Sequence, residues 1–150
     1  MTEVLAPCPG RVIPITDVSD PVFAGEMVGP GVAIEPAPGQ TTVVAPAAGT
    51  IVKLHPHAFA MAGSEGLGLL VHLGINTVRL DGAGFDVIAT EGATVAAGDP
   101  IVSWNPAEMT GDDISTTVMI VALDRPAGSV TSPAMGQDVA TGDLLFSVDA

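Results

Sequence analysis

The sequence predicts an all-β protein, an antiparallel β-sandwich or barrel of short strands with one or two short helical turns. The 150 residues include 18 glycines and 13 prolines, which divide the chain into short segments and leave little room for long helices. Runs rich in valine, isoleucine and threonine recur between these breaks, and such runs are typical of strands. Residues 94–102 resemble residues 138–146, since each segment carries a valine and then a Gly-Asp turn before a strand. Regular short strands of this kind favour a sandwich or barrel.

The strands expected from these runs are short and follow one another along the whole chain. They are residues 4–7, 11–13, 32–34, 42–44, 50–54, 67–73, 86–89, 100–104, 116–123 and 144–148. Residues 17–21 are expected to form a loop because they combine aspartates, a serine and a proline. Residues 74–78 fit one helical turn. Residues 106–113 are the best helix candidate, with Asn105 as the cap; two acids at their carboxyl end oppose the helix dipole and predict a short helix.

Composition limits the function classes. At 150 residues the chain fits one domain, residues 1–150. Its 17 acidic and four basic residues give a net charge of −13, which disfavours nucleic acid and suits a basic protein partner. The one cysteine, Cys8, excludes an internal disulfide framework. Without a visible signal peptide or an apolar run of about 18 residues, we expect a cytoplasmic protein with no membrane insertion.

All three histidines lie within one stretch of the chain, at His55, His57 and His72. Side chains two residues apart on a strand share a face, so His55, His57 and Phe59 are expected to point the same way. Residues 63–66, Gly-Ser-Glu-Gly, predict a turn and therefore a hairpin. In suitable register, His57 and His72 meet on one face beside Phe59 and Leu70. The sequence thus predicts a histidine pair in a mostly apolar patch.

A histidine pair of this kind suits phosphoryl transfer. A neutral imidazole is a nucleophile near pH 7, and a second imidazole can donate a hydrogen bond to the transferring group. Phosphoryl transfer depends mainly on positioning and on stabilising charge spread over oxygens. Since the four basic residues are distant in sequence, backbone N–H groups near Gly74 and the hydroxyls of Thr50 and Thr77 are expected to help.

Several motifs then resemble one family, the glucose-type enzyme IIA of the bacterial phosphoenolpyruvate-dependent sugar phosphotransferase system. The resemblance covers about residues 3–148 and depends on the order and spacing of the motifs. These are Asp-Pro-Val-Phe at 20–23, Val-Gly-Pro-Gly-Val-Ala-Ile at 28–34, Val-Val-Ala-Pro-Ala-Ala-Gly-Thr-Ile at 43–51, His-Ala-Phe at 57–59, Leu-Leu-Val-His-Leu-Gly-Ile-Asn-Thr-Val at 69–78, and Glu-Gly and Gly-Asp at 91–92 and 98–99.

The resemblance implies an antiparallel β-sandwich with an active-site depression on one face. It implies that His72 accepts a phosphoryl group on Nε2 from phospho-HPr, that His57 supports the transfer, and that the group passes to a cysteine of an enzyme IIB domain of a membrane sugar permease. No cofactor is required. An apolar rim would meet both partners; it corresponds to Val22, Phe23, Met27, Val28, Leu70 and Val78. Regulatory target proteins are compatible with this role, and the sugar, glucose or N-acetylglucosamine among others, stays open.

The chain departs from the family pattern at two places. Many members have an acid where Asn76 stands, so an electrostatic role of that acid is in doubt here. A hydroxyl residue that bonds the flanking histidine in some members has no clear match, and His55 and Pro56 occupy its place. We assign His55 no catalytic role from the sequence.

Two other classes remain open at this point. A zinc-dependent hydrolase site would use His55, His57 and His72 with Asp81, because three N or O ligands and a water make a catalytic zinc. A zinc ion at His57 and His72 alone would need a carboxylate from a partner. A biotinyl or lipoyl carrier would need its lysine at a hairpin tip, whereas Lys53 lies within a predicted strand.

Overall fold

The computed structural model describes residues 2–63, 66–111 and 113–148. Within these ranges the chain forms thirteen short strands. They are β1 (Thr2–Leu5), β2 (Gly10–Pro14), β3 (Gly31–Pro36), β4 (Thr41–Val44), β5 (Gly49–His55), β6 (Ala58–Gly63), β7 (Gly68–Ile75), β8 (Phe85–Val87), β9 (Thr94–Val95), β10 (Pro100–Trp104), β11 (Ser115–Leu123), β12 (Asp138–Val139) and β13 (Leu144–Val148).

The strands form a large sheet and two small ones. The large sheet has eight strands in the order β12-β2-β3-β11-β7-β6-β5-β9, and the small sheets have the orders β4-β10-β8 and β1-β13. Every strand pair within the described residues is antiparallel. The predicted all-β antiparallel fold is confirmed.

The main core lies between the large sheet and the small ones. It contains Leu73 and Ile120 from the large sheet, Trp104 from β10 and Phe146 from β13, each with no exposed surface. Burial of this apolar area is the main source of stability. Few of the core side chains are aromatic, so aliphatic residues fill most of it, as the composition predicts.

A second, smaller core covers the outer face of the large sheet. Its members are buried residues of β3, β7 and β11 together with residues of the segment between β2 and β3: Ile15, Val18, Phe23, Ala33, Ile75, Met119 and Val121. Side chains alternate between the faces of a strand, so β11 sends Ile120 inward and Met119 outward. The centre of the large sheet is therefore buried on both faces, and the functional residues lie beside this second core.

Helical structure is short. One α-helix, α1, spans Pro21–Ala24, and 3-10 turns span Ile15–Asp17, Thr77–Leu80 and Pro106–Glu108. The sequence placed only a loop before Val22 and missed α1. Among the described residues no helix is both long enough and apolar enough to cross a bilayer.

The helix predicted over residues 106–113 is wrong in its extent. Asn105 caps the segment as expected, its side chain accepting a hydrogen bond from the Ala107 N–H at 3.0 Å. The helical conformation ends at Met109, whose backbone leaves the helical region at ψ 89°. Met109 is buried in the main core, so packing draws the chain out of the helix after one turn. Residue 112 lies outside the described ranges, as do residues 64 and 65 of the turn expected at 63–66.

The resemblance between residues 94–102 and 138–146 is structural as well. Before β10, the Asp99 carboxylate accepts a hydrogen bond from the Ala96 N–H at 2.9 Å. Before β13, the Asp143 carboxylate accepts one from the Ala140 N–H at 2.8 Å. Each Gly-Asp pair thus closes the same turn before a core strand.

Candidate functional site

His72 lies near the end of β7 on the outer face of the large sheet. Its register partners are Ala58 on β6 and Met119 on β11. Its neighbours Val71 and Leu73 point into the main core, so strand alternation directs the His72 ring outward. The ring is half-buried. The predicted division of β7 into an apolar inner face and an outer face with His72 is confirmed.

His57 lies in a turn, directly before Ala58, the register partner of His72. Pro56 and His57 form the two-residue connection between β5 and β6, and the His57 carbonyl accepts a hydrogen bond from the Leu73 N–H at 2.7 Å. The two rings are in edge-to-face contact, with centroids 5.2 Å apart and planes at 74°. The predicted meeting of His57 and His72 is confirmed as geometry.

The expectation that Phe59 shares the face of the histidines is wrong. Phe59 pairs with Val71, is 1% exposed and belongs to the main core. Because His57 is a turn residue, the strand alternation restarts at Ala58. Ala58 therefore lies on the outer face with His72, and Phe59 lies on the inner face.

The aromatic ring beside His72 is that of Phe23. The Phe23 and His72 ring centroids are 5.2 Å apart with a tilt of 55°. Phe23 lies in α1, where Asp20 is the N-cap and its carboxylate accepts a hydrogen bond from the Val22 N–H at 2.8 Å. Pro21 occupies the first helical turn, where its missing N–H costs nothing. The Asp-Pro pair at residues 20–21 was the sequence signal for this helix.

A backbone carbonyl holds the His72 ring. Nδ1 of His72 lies 2.6 Å from the carbonyl oxygen of Gly74. A carbonyl oxygen only accepts hydrogen bonds, so Nδ1 carries the proton and donates. In the neutral ring the lone pair is then on Nε2, which is the nucleophilic atom.

Gly74 is required at this position. Its φ is +85°, and a Cβ added to it would lie 2.5 Å from the Ser115 carbonyl oxygen and 2.5 Å from Cγ2 of Thr77. A larger residue would therefore move the carbonyl that orients His72. The buried Thr77 side chain secures the following turn, since its hydroxyl donates to the Leu73 carbonyl at 2.6 Å.

Burial lowers the pKa of both paired histidines. For His72 the lowering by burial is opposed by the Gly74 carbonyl and by the Asp20 carboxylate, which raise its pKa. For His57 burial is the largest influence, repulsion from His72 and then from His55 are smaller, and all three lower its pKa. Both rings are therefore mainly neutral at pH 7. As the pH falls through about 6.5, the unfolded chain takes up protons at these histidines before the folded protein does, so their contribution to stability decreases.

The hydroxyls expected to assist are not placed to do so. Thr50 pairs with Ala62 at the far end of β5, about five residues or roughly 16 Å along the strand from His55. The Thr77 hydroxyl donates to a backbone carbonyl, as described above. Asn76 has φ +63° and donates from Nδ2 to the Asp113 carbonyl at 2.8 Å, so its side chain fastens two loops.

A depression of about 430 Å³ lies next to the histidine pair but contains neither ring. Residues from α1, from the end of β7 and from the start of β11 line it: Ser19, Asp20, Pro21, Ile75, Asn76, Asp113, Ile114 and Ser115. It adjoins the pair through Asp20, whose charge acts on His72.

The six residues expected to form an apolar rim differ in exposure. Val22 is 44%, Val78 57% and Met27 76% exposed. Val28 and Leu70 are partly buried against the second core, and Phe23 is buried within it. The first three offer apolar surface, and Phe23 contributes mainly its contact with His72.

The described residues do not assemble a metal site of three or more ligands from histidine, cysteine, aspartate or glutamate. The four groups of the hydrolase alternative, His55, His57, His72 and Asp81, are thus not brought together around one point, and that alternative is not favoured. Lys53 lies within β5 and not at a hairpin tip, which disfavours the carrier-lysine alternative. Burial raises the pKa of the Cys8 thiol to about 12, so Cys8 is inert.

The fold is thus an antiparallel β-sandwich in which two histidine rings are in contact on the outer face of the large sheet. The family model for the phosphoenolpyruvate-dependent sugar phosphotransferase system, EIIA 1, matches residues 2–127. The chain belongs to this family, whose members are phosphotransferase components that transfer phosphoryl groups between proteins.

Named relatives agree with this assignment. The glucose-specific EIIA component of Bacillus anthracis is 37% identical over 93% of this chain and 84% of its own length. The glucose-specific EIIBCA component of Corynebacterium glutamicum is 35% identical over 97% of this chain. Among solved structures, the glucose permease IIA from Mycoplasma capricolum matches with a TM-score of 0.82 and 33% sequence identity. The match covers 96% of this chain and 93% of the Mycoplasma chain.

The chain is shorter than some relatives. The match covers 22% of the Corynebacterium glutamicum protein. It covers 61% of the glucose-specific EIIA component of Staphylococcus aureus (strain N315), with 44% identity over 68% of this chain.

The competing influences on His72 give a titration prediction. We expect a pKa below 6.5 for His72, since burial is the largest influence on it. Asp20→Asn keeps a side-chain oxygen to cap α1 but removes the negative charge, so the pKa of His72 should fall further. NMR titration of the histidine ring protons measures both. A midpoint above 6.5, or a rise in the variant, would contradict this account.

A pair of glycine substitutions tests the carbonyl at residue 74. Gly74→Ala and Gly98→Ala both place alanine at a positive φ, +85° and +90°, but nothing lies within 4 Å of a Cβ at Gly98. Both variants should lose about 1–2 kcal/mol for the backbone conformation. Only Gly74→Ala adds a clash, so it should lose more and also shift the His72 ring ¹⁵N resonances. Urea unfolding and NMR measure these effects; equal losses with an unchanged His72 spectrum would refute the requirement.

Proposed function

We propose that the protein is a phosphocarrier that accepts a phosphoryl group from phospho-HPr on Nε2 of His72 and passes it to the cysteine of a sugar-specific enzyme IIB domain. The observation that carries this proposal is the 2.6 Å hydrogen bond from Nδ1 of His72 to the Gly74 carbonyl. It leaves the Nε2 lone pair free for bonding to phosphorus. The names of the relatives make glucose the first sugar to test.

The acceptance step is a simple displacement. The Nε2 lone pair of His72 attacks the phosphorus of the donor's phosphohistidine, a new N–P bond forms, and the donor's N–P bond breaks with its electron pair returning to the donor's imidazole nitrogen. In the onward step the thiolate of enzyme IIB attacks the same phosphorus, and the N–P electron pair returns to Nε2. No proton leaves His72, because Nδ1–H stays bonded to Gly74.

His57 is proposed to stabilise the transferring group. Its neutral ring has one N–H donor and lies in edge contact with His72. Charge on the equatorial oxygens of phosphorus is spread out in transfer, so a preplaced donor lowers the barrier without reorganisation. The lowered pKa of His57 favours its neutral form. The ring keeps its one N–H throughout and can therefore act in the same way in each transfer.

The apolar surroundings are proposed to protect the intermediate and to dock the partners. The Phe23 ring covers one side of His72, which limits access of water to a labile phosphoramidate. The exposed side chains Val22, Met27 and Val78 offer contact area typical of an interface core. The net charge of −13 favours encounter with a basic donor protein.

The remaining parts of the proposal concern the whole chain. We propose that residues 1–150 act as one domain, supported by a main core with members from Val4 to Val148. The transfer needs no metal or cofactor, since both reacting atoms belong to protein side chains or to the phosphoryl group. A cytoplasmic location is part of the same proposal.

Intact-mass measurement tests the carrier role. The protein is incubated with phosphoenolpyruvate, enzyme I and HPr, and we expect one acid-labile phosphoryl adduct. His72→Gln should abolish the adduct, because glutamine provides no ring nitrogen. His57→Gln should still accept the group and pass it to enzyme IIB at least 100-fold more slowly, the size of a lost acid–base or donor contribution.

The control is Lys53→Gln, an exposed change on β5 outside the row of histidines, which should be phosphorylated and pass the group on as the wild type does. An unmodified wild-type protein would refute the carrier role. An adduct that persists in His72→Gln would refute the assignment of His72.

A further inference from the structure

The third histidine has a defined place beside the pair, although the proposed function does not use it. His55 is the last residue of β5 and its side chain is exposed. Its ring stacks on that of His57, with centroids 5.8 Å apart and planes at 26°. The same His57 ring is in edge contact with His72 on the reaction side.

The register of the large sheet explains this arrangement. His55 pairs with Ala58, and Ala58 pairs with His72, so the three residues form one row on the outer face. Neighbouring strands lie about 4.8 Å apart, which separates His55 and His72 by about 10 Å. This separation leaves room for one ring above the small Ala58 side chain. The centroid distances of 5.8 and 5.2 Å place the His57 ring in this gap, between the other two.

The His57 ring is in contact with a histidine ring on each side. Across the described part of the chain it makes no hydrogen bond to protein, whereas the His72 ring is fixed by Gly74. Its backbone is well held: Pro56 precedes it, and a Cβ added to Gly82 would meet Pro56 Cγ at 3.3 Å, so a loop packs against the turn. The His57 ring is therefore oriented by packing and not by a hydrogen bond, and the rings of His55 and His72 lie in contact on its two sides.

We propose that His55 is a positioning residue whose stacked ring holds His57 against His72 for phosphoryl transfer. This inference rests on the proposed function. A stacked aromatic pair has a preferred geometry and a modest energy, which suits a role in orientation. Repulsion from His55 also contributes, after burial and His72, to lowering the pKa of His57, which favours the neutral donor.

Two substitutions separate stacking from other roles. His55→Ala removes the ring, and His55→Phe keeps a stacking ring without nitrogen atoms or charge. Lys53→Ala, on the same strand, is the control for a general surface change. The rates of phosphoryl acceptance from phospho-HPr and of onward transfer to enzyme IIB are measured separately, together with the His57 ring-proton chemical shifts in the unphosphorylated protein.

We expect His55→Ala to slow the onward step about three- to tenfold, the range that the energy of a stacked pair allows, and to slow acceptance less. His55→Phe should restore the onward rate and retain the ring-current shift of the His57 protons, which His55→Ala should lose. A wild-type onward rate in His55→Ala, or no rescue by His55→Phe, would overturn the inference.

The two proposals fail in different ways. If the wild-type protein takes up no phosphoryl group, the carrier role fails. The His57 ring-proton shifts of the wild type and of His55→Ala still show whether the His55 ring stacks on His57. Unchanged His57 shifts in His55→Ala would show that the stack does not exist in solution and would overturn the inference on their own.

Discussion

The site depends on one hydrogen bond, that from Nδ1 of His72 to the carbonyl of Gly74. It fixes the tautomer, and with it the nitrogen that can react. The bond forms where the last residues of β7 become irregular: Gly74 adopts a positive φ, the register with β11 shifts there, and Thr77 bonds back to Leu73. A strand that continued straight would direct the residue 74 carbonyl along the sheet ladder. The reactive atom is thus chosen by backbone geometry.

Burial of the large sheet on both faces sets the environment of that bond. The segment between β2 and β3 covers the outer face with Phe23, and its helix cap Asp20 acts on His72. This segment has two opposite effects on the pKa of His72: burial beneath it lowers the pKa, and its Asp20 carboxylate raises it. The result is a neutral ring near pH 7, packed between Phe23 and His57, with an open apolar surface on one side.

The sequence predicted the strands and the histidine pair because both follow from short-range patterns. Alternation along residues 69–73 gave the inward leucines and the outward His72, and Gly-Asp turns marked the starts of β10 and β13. The errors arise where a turn interrupts the two-residue alternation of a strand. His57 was predicted to lie in a strand, and Phe59 was therefore assigned to the wrong face of the sheet. The Phe23 contact and the His55 stack depend on strand order and register, which local patterns do not contain.

The measurement that tests this account most directly is the site of attachment in the phosphorylated protein. NMR with ¹⁵N-labelled histidine and ³¹P detection distinguishes phosphorus on Nε2 from phosphorus on Nδ1. The account predicts a single phosphohistidine, at His72, with phosphorus on Nε2 and a proton retained on Nδ1. Phosphorus on Nδ1 of His72, or on a ring nitrogen of His57, would contradict it.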